Sequence, residues 1–163
     1  MDILTPKGQE TRRQEVRAID ILLRNLKGYT YADTPKNKPA AIDGFVIRQG
    51  AIAYACEVKC RTMTKQTLET DYQNRWLVTL DKILLARSIA GSLCVPLLGL
   101  LYLVPDDVLL VQKICDEPEL PNQPGLFSTS MILETTVTQR TVNGGSAKRT
   151  NAYIDMNNAK VFR

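Results

Sequence analysis

Histidine is missing from this sequence of 163 residues. An imidazole is the base of Ser-His-Asp hydrolysis, the acid and base of two-histidine ribonucleases, and a ligand in nucleases with histidine-metal fingers. The absence of histidine excludes these mechanisms. Any catalysis by this chain therefore has to rely on carboxylates, lysine, tyrosine or a bound metal ion.

Long apolar segments are missing as well. The most apolar stretch, residues 93–104, has about 12 residues, whereas a helix that crosses a bilayer needs about 20. Residues 1–16 lack the apolar core of a signal peptide. We expect a cytoplasmic protein that does not interact with a membrane.

Cysteine is scarce and does not have the spacing of a metal site. The four cysteines form no CxxC pair and have no histidine to complement them, so a zinc site is not expected. All of them lie in or beside apolar segments, which is typical of buried reduced thiols. They are Cys56, Cys60, Cys94 and Cys115.

The length of the chain and its 44% of hydrophobic residues suit one globular domain that covers residues 1–163. The net charge is only +4, but basic residues are concentrated in segments 7–27 and 137–163, and acidic residues in segment 104–134. This asymmetry is typical of a protein that binds a polyanion across part of its surface. A solvated charged face explains each segment separately.

A helix of about 20 residues is predicted near the N-terminus, with Thr5 as N-cap, Pro6 in the first turn and Gly28 after its end. Glu15 lies at the edge of the predicted buried face, and Glu10 is turned roughly 140° away from it. Glu15 is therefore the glutamate that we expect to face inward. The predicted apolar stripe consists of Val16, Ile19, Leu22, Leu23 and Leu26.

Two apolar strands are predicted at residues 41–48 and 51–60, joined by a tight turn. Charged residues interrupt both apolar runs: Asp43 in the first strand, and Glu57 and Lys59 in the second. Because successive residues of a strand alternate between its faces, Glu57 and Lys59 share one face and lie about 7 Å apart. Small alanines precede them on this face, which indicates a packed surface that opens into a cleft.

The remaining segments predict a mixed sheet flanked by helices, and hence the α/β class. A second amphipathic helix is predicted at residues 77–92, followed by strands at 93–104 and 107–114, of which the first is expected to be buried on both faces. Residues 130–163 alternate around the letters "NGG", which predicts an additional C-terminal β-hairpin.

Side by side on neighbouring strands, the carboxylates of Asp43 and Glu57 would repel each other unless a proton or a cation lay between them. Mg²⁺ is a natural occupant because it prefers oxygen ligands and keeps several waters, and Mn²⁺ is an alternative. Lys59 would then hold a water or hydroxide against the metal and offset charge on a phosphate. This combination hydrolyses phosphodiester bonds without histidine.

The order of these segments resembles the PD-(D/E)xK nuclease superfamily, which has the restriction-endonuclease-like fold, and in particular its small resolvase-like or phage-type members. The matching segments are QEVRAIDILL, AAIDGF, ACEVKCRT, DKILLARSIAG and PLLGLLYLV. The resemblance implies an αβββαβ core over about residues 7–112, with a C-terminal β extension over about 130–163. Ile42 stands where the superfamily often has proline before the aspartate.

The resemblance also implies roles for individual residues. Asp43 and Glu57 would bind the divalent metal, Lys59 would orient or activate the water, and Glu15 would complete or brace the site from the first helix.

Basic residues outside this motif are candidates for contacts with phosphates, which position nucleic acid without reading its sequence. They are Arg61 and Lys65, just beyond Lys59, and Lys148 and Arg149 in the predicted hairpin. Lys82 is a weaker candidate that a plain helix-surface position explains equally well.

We therefore expect an Mg²⁺- or Mn²⁺-dependent endonuclease of recombination, repair or phage DNA processing, acting as a homodimer so that both strands are cut. DNA is the expected substrate, and RNA is an alternative substrate.

The alternative function is a non-catalytic module that uses the same fold to bind nucleic acid or a protein. It predicts carboxylates too far apart for one metal, or a Lys59 engaged in a salt bridge. A third hypothesis places Glu57 and Lys59 in water on an edge strand, as charges that prevent aggregation.

Overall fold

The computed structural model describes residues 5–36, 40–138 and 147–163 of the chain. In these ranges the helices are α1 (Pro6–Asn25), α2 (Lys65–Thr70) and α3 (Leu80–Ser92). The strands are β1 (Tyr29–Asp33), β2 (Gly44–Arg48), β3 (Ala51–Arg61), β4 (Arg75–Thr79), β5 (Leu97–Leu103), β6 (Val108–Cys115), β7 (Met131–Thr138), β8 (Ala147–Asp155) and β9 (Lys160–Phe162).

Six strands form the main sheet, in the order β1-β2-β3-β5-β6-β9. Neighbouring strands are antiparallel except for β3 and β5, which run parallel from Ala55↔Leu97 to Arg61↔Leu103. A parallel pair needs a crossover connection, and the chain between β3 and β5 includes α3. The prediction of an α/β protein with a mixed sheet flanked by helices is confirmed.

The two faces of the main sheet carry separate apolar clusters. Alternate residues of β3 contribute to different clusters, since Cys56 and Val58 belong to one and Ala55 to the other. α1 covers the first cluster and α3 the second. The buried helix residues of the clusters are Ala18, Ile21 and Leu22 in α1, and Ile83, Ala86 and Ala90 in α3.

The predicted length of α1 is confirmed, but part of its predicted apolar stripe is wrong. Thr5 Oγ1 accepts a hydrogen bond from the Gly8 amide at 3.1 Å, which caps the helix as expected. Val16 is 44% exposed, and Ala18 and Ile21 are buried instead, so the buried face is rotated from the predicted stripe. Among the described residues no helix, α1 included, has the length and apolarity needed to cross a bilayer.

A second sheet of three strands has the order β4-β8-β7. β7 and β8 form the predicted C-terminal hairpin, in antiparallel register from Met131↔Ile154 to Thr138↔Ala147. The letters "NGG" that suggested its turn lie outside the described residues. The last strand, β9, returns to the main sheet and pairs with β6.

β4 was not predicted, because the second helix was expected to begin at residue 77, within this strand. The segment is instead a strand in which Trp76 and Val78 are buried and Leu77 is exposed. A buried–exposed–buried pattern has the two-residue period of a strand. The helix begins only at Leu80.

Gly99 lies in β5 under the ring of Trp76. A Cβ atom on Gly99 would collide with this ring and would lie 2.8 Å from Cδ1 of Ile114. Trp76 is 1% exposed, so the ring has no free space to move into. Gly99→Ala is therefore expected to lower the free energy of unfolding by about 1–3 kcal/mol, measured by urea denaturation.

Ala51→Val provides a matched control, because it adds methyl groups at an exposed position at the beginning of β3. Its effect should stay within about 0.5 kcal/mol. Equal losses of stability in the two variants would contradict the close packing of Gly99 against Trp76.

Candidate active site

The pairing of β2 with β3 brings Asp43 and Glu57 together. Asp43 is the residue before β2, one position outside the strand in which it was predicted. Its amide donates a hydrogen bond to the Cys56 carbonyl at 2.9 Å, and its Oδ2 accepts one from the Val58 amide at 2.8 Å. Because Glu57 stands between these two residues of β3, the hydrogen bonds hold the Asp43 carboxylate beside it.

Glu57 is a carboxylate with 0% exposure in a central strand. Its Oε1 lies 3.0 Å from Lys59 Nζ and 3.0 Å from Lys82 Nζ. Both contacts are ion pairs at hydrogen-bond distance, and both involve the same oxygen of Glu57. The edge-strand hypothesis is wrong, because β3 lies between β2 and β5 and Glu57 is not in water.

Glu15 reaches the same place from α1. Its side chain is 16% exposed and its Oε2 lies 3.5 Å from Lys36 Nζ. The same ammonium lies 3.7 Å from Asp43 Oδ1, so it links the two carboxylates. Glu10 pairs with Arg13 instead, and both side chains are exposed. The structure therefore brings Glu15, and not Glu10, to Asp43, as the helical period predicted.

Lys82 has a more central position than the sequence indicated. Its Nζ lies 3.0 Å from Glu57 Oε1 and 3.6 Å from Asp43 Oδ1. It stands four and eight residues before the buried Ala86 and Ala90 of α3. The helical period thus places it on the inward face, and this signal was available in the sequence.

Lys36 was missed entirely, because the connection between β1 and β2 has no periodic pattern. Its Nζ also lies 3.6 Å from Asp33 Oδ1, and Arg12 pairs with both Asp33 and Glu15. We call the whole group the charged cluster. It contains the carboxylates of Glu15, Asp33, Asp43 and Glu57 and the bases Arg12, Lys36, Lys59 and Lys82.

The predicted phosphate-binding residues lie outside the charged cluster. Arg61 donates hydrogen bonds to two main-chain carbonyl oxygens, and Lys65 pairs with Glu69. Lys148 and Arg149 are exposed on β8. Contact with phosphate stays a prediction for all four.

The pKa values of Asp43 and Glu57 are shifted in opposite directions from their ordinary values. Burial raises the pKa of Glu57, and Lys59 and Lys82 offset only part of this effect. Burial also favours the neutral form of Asp43, but Lys82, the Val58 amide and the other lysines outweigh it and lower the pKa of this residue. Lys82 loses hydration too, yet the two carboxylates raise its pKa, so it stays charged.

Asp43 and Glu57 are the members of the charged cluster that suit a divalent cation. Mg²⁺ and Mn²⁺ prefer carboxylate oxygens, and the ion pairs of Glu57 with Lys59 and Lys82 both involve Oε1. Among the described residues no set of three or more metal-ligating side chains is gathered in one place. A metal would therefore use these two carboxylates and complete its coordination with water, as Mg²⁺ commonly does.

Comparisons with known proteins gave no relative for this chain. No protein-family model, no curated protein and no solved structure matches it. Its function therefore has to be inferred from the geometry of the charged cluster, and the resemblance to PD-(D/E)xK nucleases stays a hypothesis.

Glu57→Gln is expected to stabilise the metal-free protein at neutral pH. Because the folded-state pKa of Glu57 is raised, the wild type loses stability as pH rises through that pKa, whereas the uncharged amide does not. The gain in Tm should therefore be present at neutral pH and shrink in acid, where Glu57 is protonated. Thermal unfolding in the presence of a chelator at several pH values measures it.

Asp43→Asn should have the opposite effect on Tm. Because the folded-state pKa of Asp43 is lowered, its charge adds stability that is present above the unfolded-state pKa and lost as pH falls through the folded-state pKa. The variant should be less stable than the wild type at neutral pH, and the difference should shrink in acid. Shifts of the same sign in both variants would contradict the opposite pKa directions.

Proposed function

We propose that the chain is a metal-dependent endonuclease that hydrolyses phosphodiester bonds of nucleic acid, with DNA as the favoured substrate. One observation carries the proposal: the Glu57 carboxylate is fully buried beside Asp43, with the Lys59 ammonium 3.0 Å away. A carboxylate in a central strand is costly even when it is paired. Cation binding and phosphate chemistry would account for keeping it there.

The order of elements supports the proposal. α1 is followed by the antiparallel strands β1, β2 and β3, and then by α3 and by β5, which is parallel to β3. This is the αβββαβ order expected of a restriction-endonuclease-like core, with α2 and β4 as an insertion between β3 and α3. We infer this finer fold from the order and direction of the elements.

Each side chain has a distinct role in the proposed reaction. A cation held by Asp43 and Glu57 would supply Lewis-acid activation of a water and of the scissile phosphate. Lys59 is 30% exposed where Glu57 is buried, so its ammonium can donate to a water or to a phosphate oxygen at the open side of the cluster. Glu15 acts through Lys36, which it shares with Asp43, and is therefore a positioning residue.

A second candidate function is the non-catalytic binding module, and one observation favours it. Lys59 forms an ion pair with Glu57, as that hypothesis predicted. Against it stands the contact of Asp43 and Glu57 with the same Lys82 ammonium, at 3.6 and 3.0 Å, which gathers both carboxylates around one cationic group. The cleavage experiment below separates the two functions.

The end of the C-terminal hairpin is the surface that we assign to substrate binding. β4 pairs with β8 only from Asn151 to Asp155, so segment 147–150 has β7 as its one neighbouring strand among the described residues. Lys148 and Arg149 are exposed in this two-stranded part. Their charges suit the phosphate backbone of nucleic acid.

Homodimerisation stays a prediction, and β7 offers a surface for it. This strand is at the edge of the second sheet. Ile132, Leu133 and Val137 are exposed along it, which is unusual for an edge strand without a partner.

Glu57→Gln and Lys59→Met should each reduce metal-dependent cleavage by at least about 100-fold. The first variant keeps the shape of a metal ligand without its charge, and the second keeps the aliphatic chain without the ammonium. The rates are measured with Mg²⁺ or Mn²⁺ on linear, circular, branched and single-stranded DNA and on RNA.

Lys113→Met and Asp116→Asn are the controls, because they disrupt an ion pair outside the charged cluster and should leave the cleavage rate unchanged. If the folded wild type cut none of the substrates with either metal but still bound nucleic acid, the binding module would replace the nuclease as the conclusion.

Replacing both Lys148 and Arg149 by alanine should weaken nucleic-acid binding at low salt and reduce the salt dependence of the affinity. Each lost phosphate contact lowers the slope of log K against log salt by about 0.9 on duplex DNA. Binding is measured at several salt concentrations in the Glu57→Gln background, so that the substrate stays intact. If the double variant had the same slope of log K against log salt as Lys113→Ala, the hairpin would not be part of the binding surface.

A further inference from the structure

One ammonium of the charged cluster contacts both candidate metal ligands. Lys82 Nζ lies 3.0 Å from Glu57 Oε1 and 3.6 Å from Asp43 Oδ1. Among the ion pairs of the described residues, Lys59 contacts Glu57 alone, and Lys36 contacts Asp43 but not Glu57. Lys82 is therefore the base that joins the two carboxylates.

A divalent cation on the same carboxylates would lie close to the ammonium of Lys82. Mg²⁺ lies about 2.1 Å from its carboxylate ligands, so a cation on Glu57 Oε1 would be at most about 5 Å from the present position of Lys82 Nζ. Two positive charges at this distance repel strongly in a site with little solvent to screen them. Lys59 is equally close to Glu57, but Lys82 is the ammonium that contacts both carboxylates, so it is the base with which a cation bound by both would compete.

The place of Lys82 in α3 is otherwise unfavourable. It lies in the first turn of the helix, where the macrodipole disfavours a positive charge. Its side chain is 29% exposed, so part of the hydration of the lysine is lost as well. The contacts with Asp43 and Glu57 offset both costs, which indicates that the lysine is there for the carboxylates and not for the helix.

We propose that Lys82 is a resident counter-ion that holds Asp43 and Glu57 together in the metal-free protein and competes with the divalent cation for them. This inference deepens the proposed nuclease function and rests on it. Without an ammonium or a cation between them, the two carboxylates repel each other. The flexible side chain of Lys82 allows the ammonium to move to solvent when the metal binds. Lys82 thus keeps the two carboxylates close together before the metal arrives, and the metal binds less tightly because it has to displace the ammonium.

Titration of the full metal-free chain with Mn²⁺ in a calorimeter tests this competition. Lys82→Met keeps the aliphatic stem and removes the charge. It should bind Mn²⁺ about tenfold more tightly than the wild type, the factor expected for loss of one charge-assisted contact of moderate strength. Lys82→Arg keeps the charge and should bind close to the wild-type affinity. Lys113→Met is the control for loss of a lysine elsewhere and should match the wild type.

Thermal unfolding gives a second readout that does not depend on activity. Lys82→Met should have a lower Tm than the wild type without metal, because the carboxylates have lost a counter-ion. At the same free Mn²⁺ concentration its Tm should rise by more than that of the wild type, because ligand binding stabilises the folded state according to affinity.

The outcomes separate this inference from the proposed function. Equal or weaker Mn²⁺ binding by folded Lys82→Met would overturn the competition and leave the metal site in place. Absence of Mn²⁺ binding in the wild type and in every variant would overturn the metal site, and with it the nuclease. If Lys82→Met does not fold, Lys82→Gln is measured by the same criteria.

Discussion

The charged cluster is arranged around a carboxylate, Glu57, that has no exposed surface in a central strand of the main sheet. Removal of a carboxylate from water costs several kcal/mol unless other charges compensate for it. The ammonium groups of Lys59 and Lys82, each 3.0 Å from Oε1, compensate in part. The raised pKa of Glu57 shows that the compensation is incomplete. A protein selected only for stability would have an apolar residue here, and this excess cost is the observation from which we infer a functional site.

The architecture around Glu57 gathers charges from elements that are far apart in the chain. α1 and α3 cover opposite faces of the main sheet, and both contribute to the charged cluster: Arg12 and Glu15 come from α1 and Lys82 from α3. Asp43 enters from the residue before β2, held by the Val58 amide. The apolar clusters make these positions rigid, so the charged residues meet without forming the core themselves.

Several features were predictable because they follow from patterns within one segment. The cap at Thr5 and the alternation along β3 indicated α1 and the shared face of Glu57 and Lys59. The prediction was less successful where a short segment fits both the helical period of 3.6 residues and the strand period of two residues. A short apolar run suits a helix and a strand equally well, so residues 77–79 of β4 were assigned to the helix that follows them. The inward position of Lys82 was readable from its spacing to Ala86, but its partners were not.

The sequence by itself determined the α/β character of the chain, the positions of α1, β2, β3, β5 and β6, and the presence of Asp43, Glu57 and Lys59 within apolar segments. These properties depend on local periodicity, capping and strand alternation. Only the tertiary structure decided that Lys36 and Lys82 contact those carboxylates. Their contacts depend on the pairing of β2 with β3 and on the crossover through α3, which bring together residues that no local period relates.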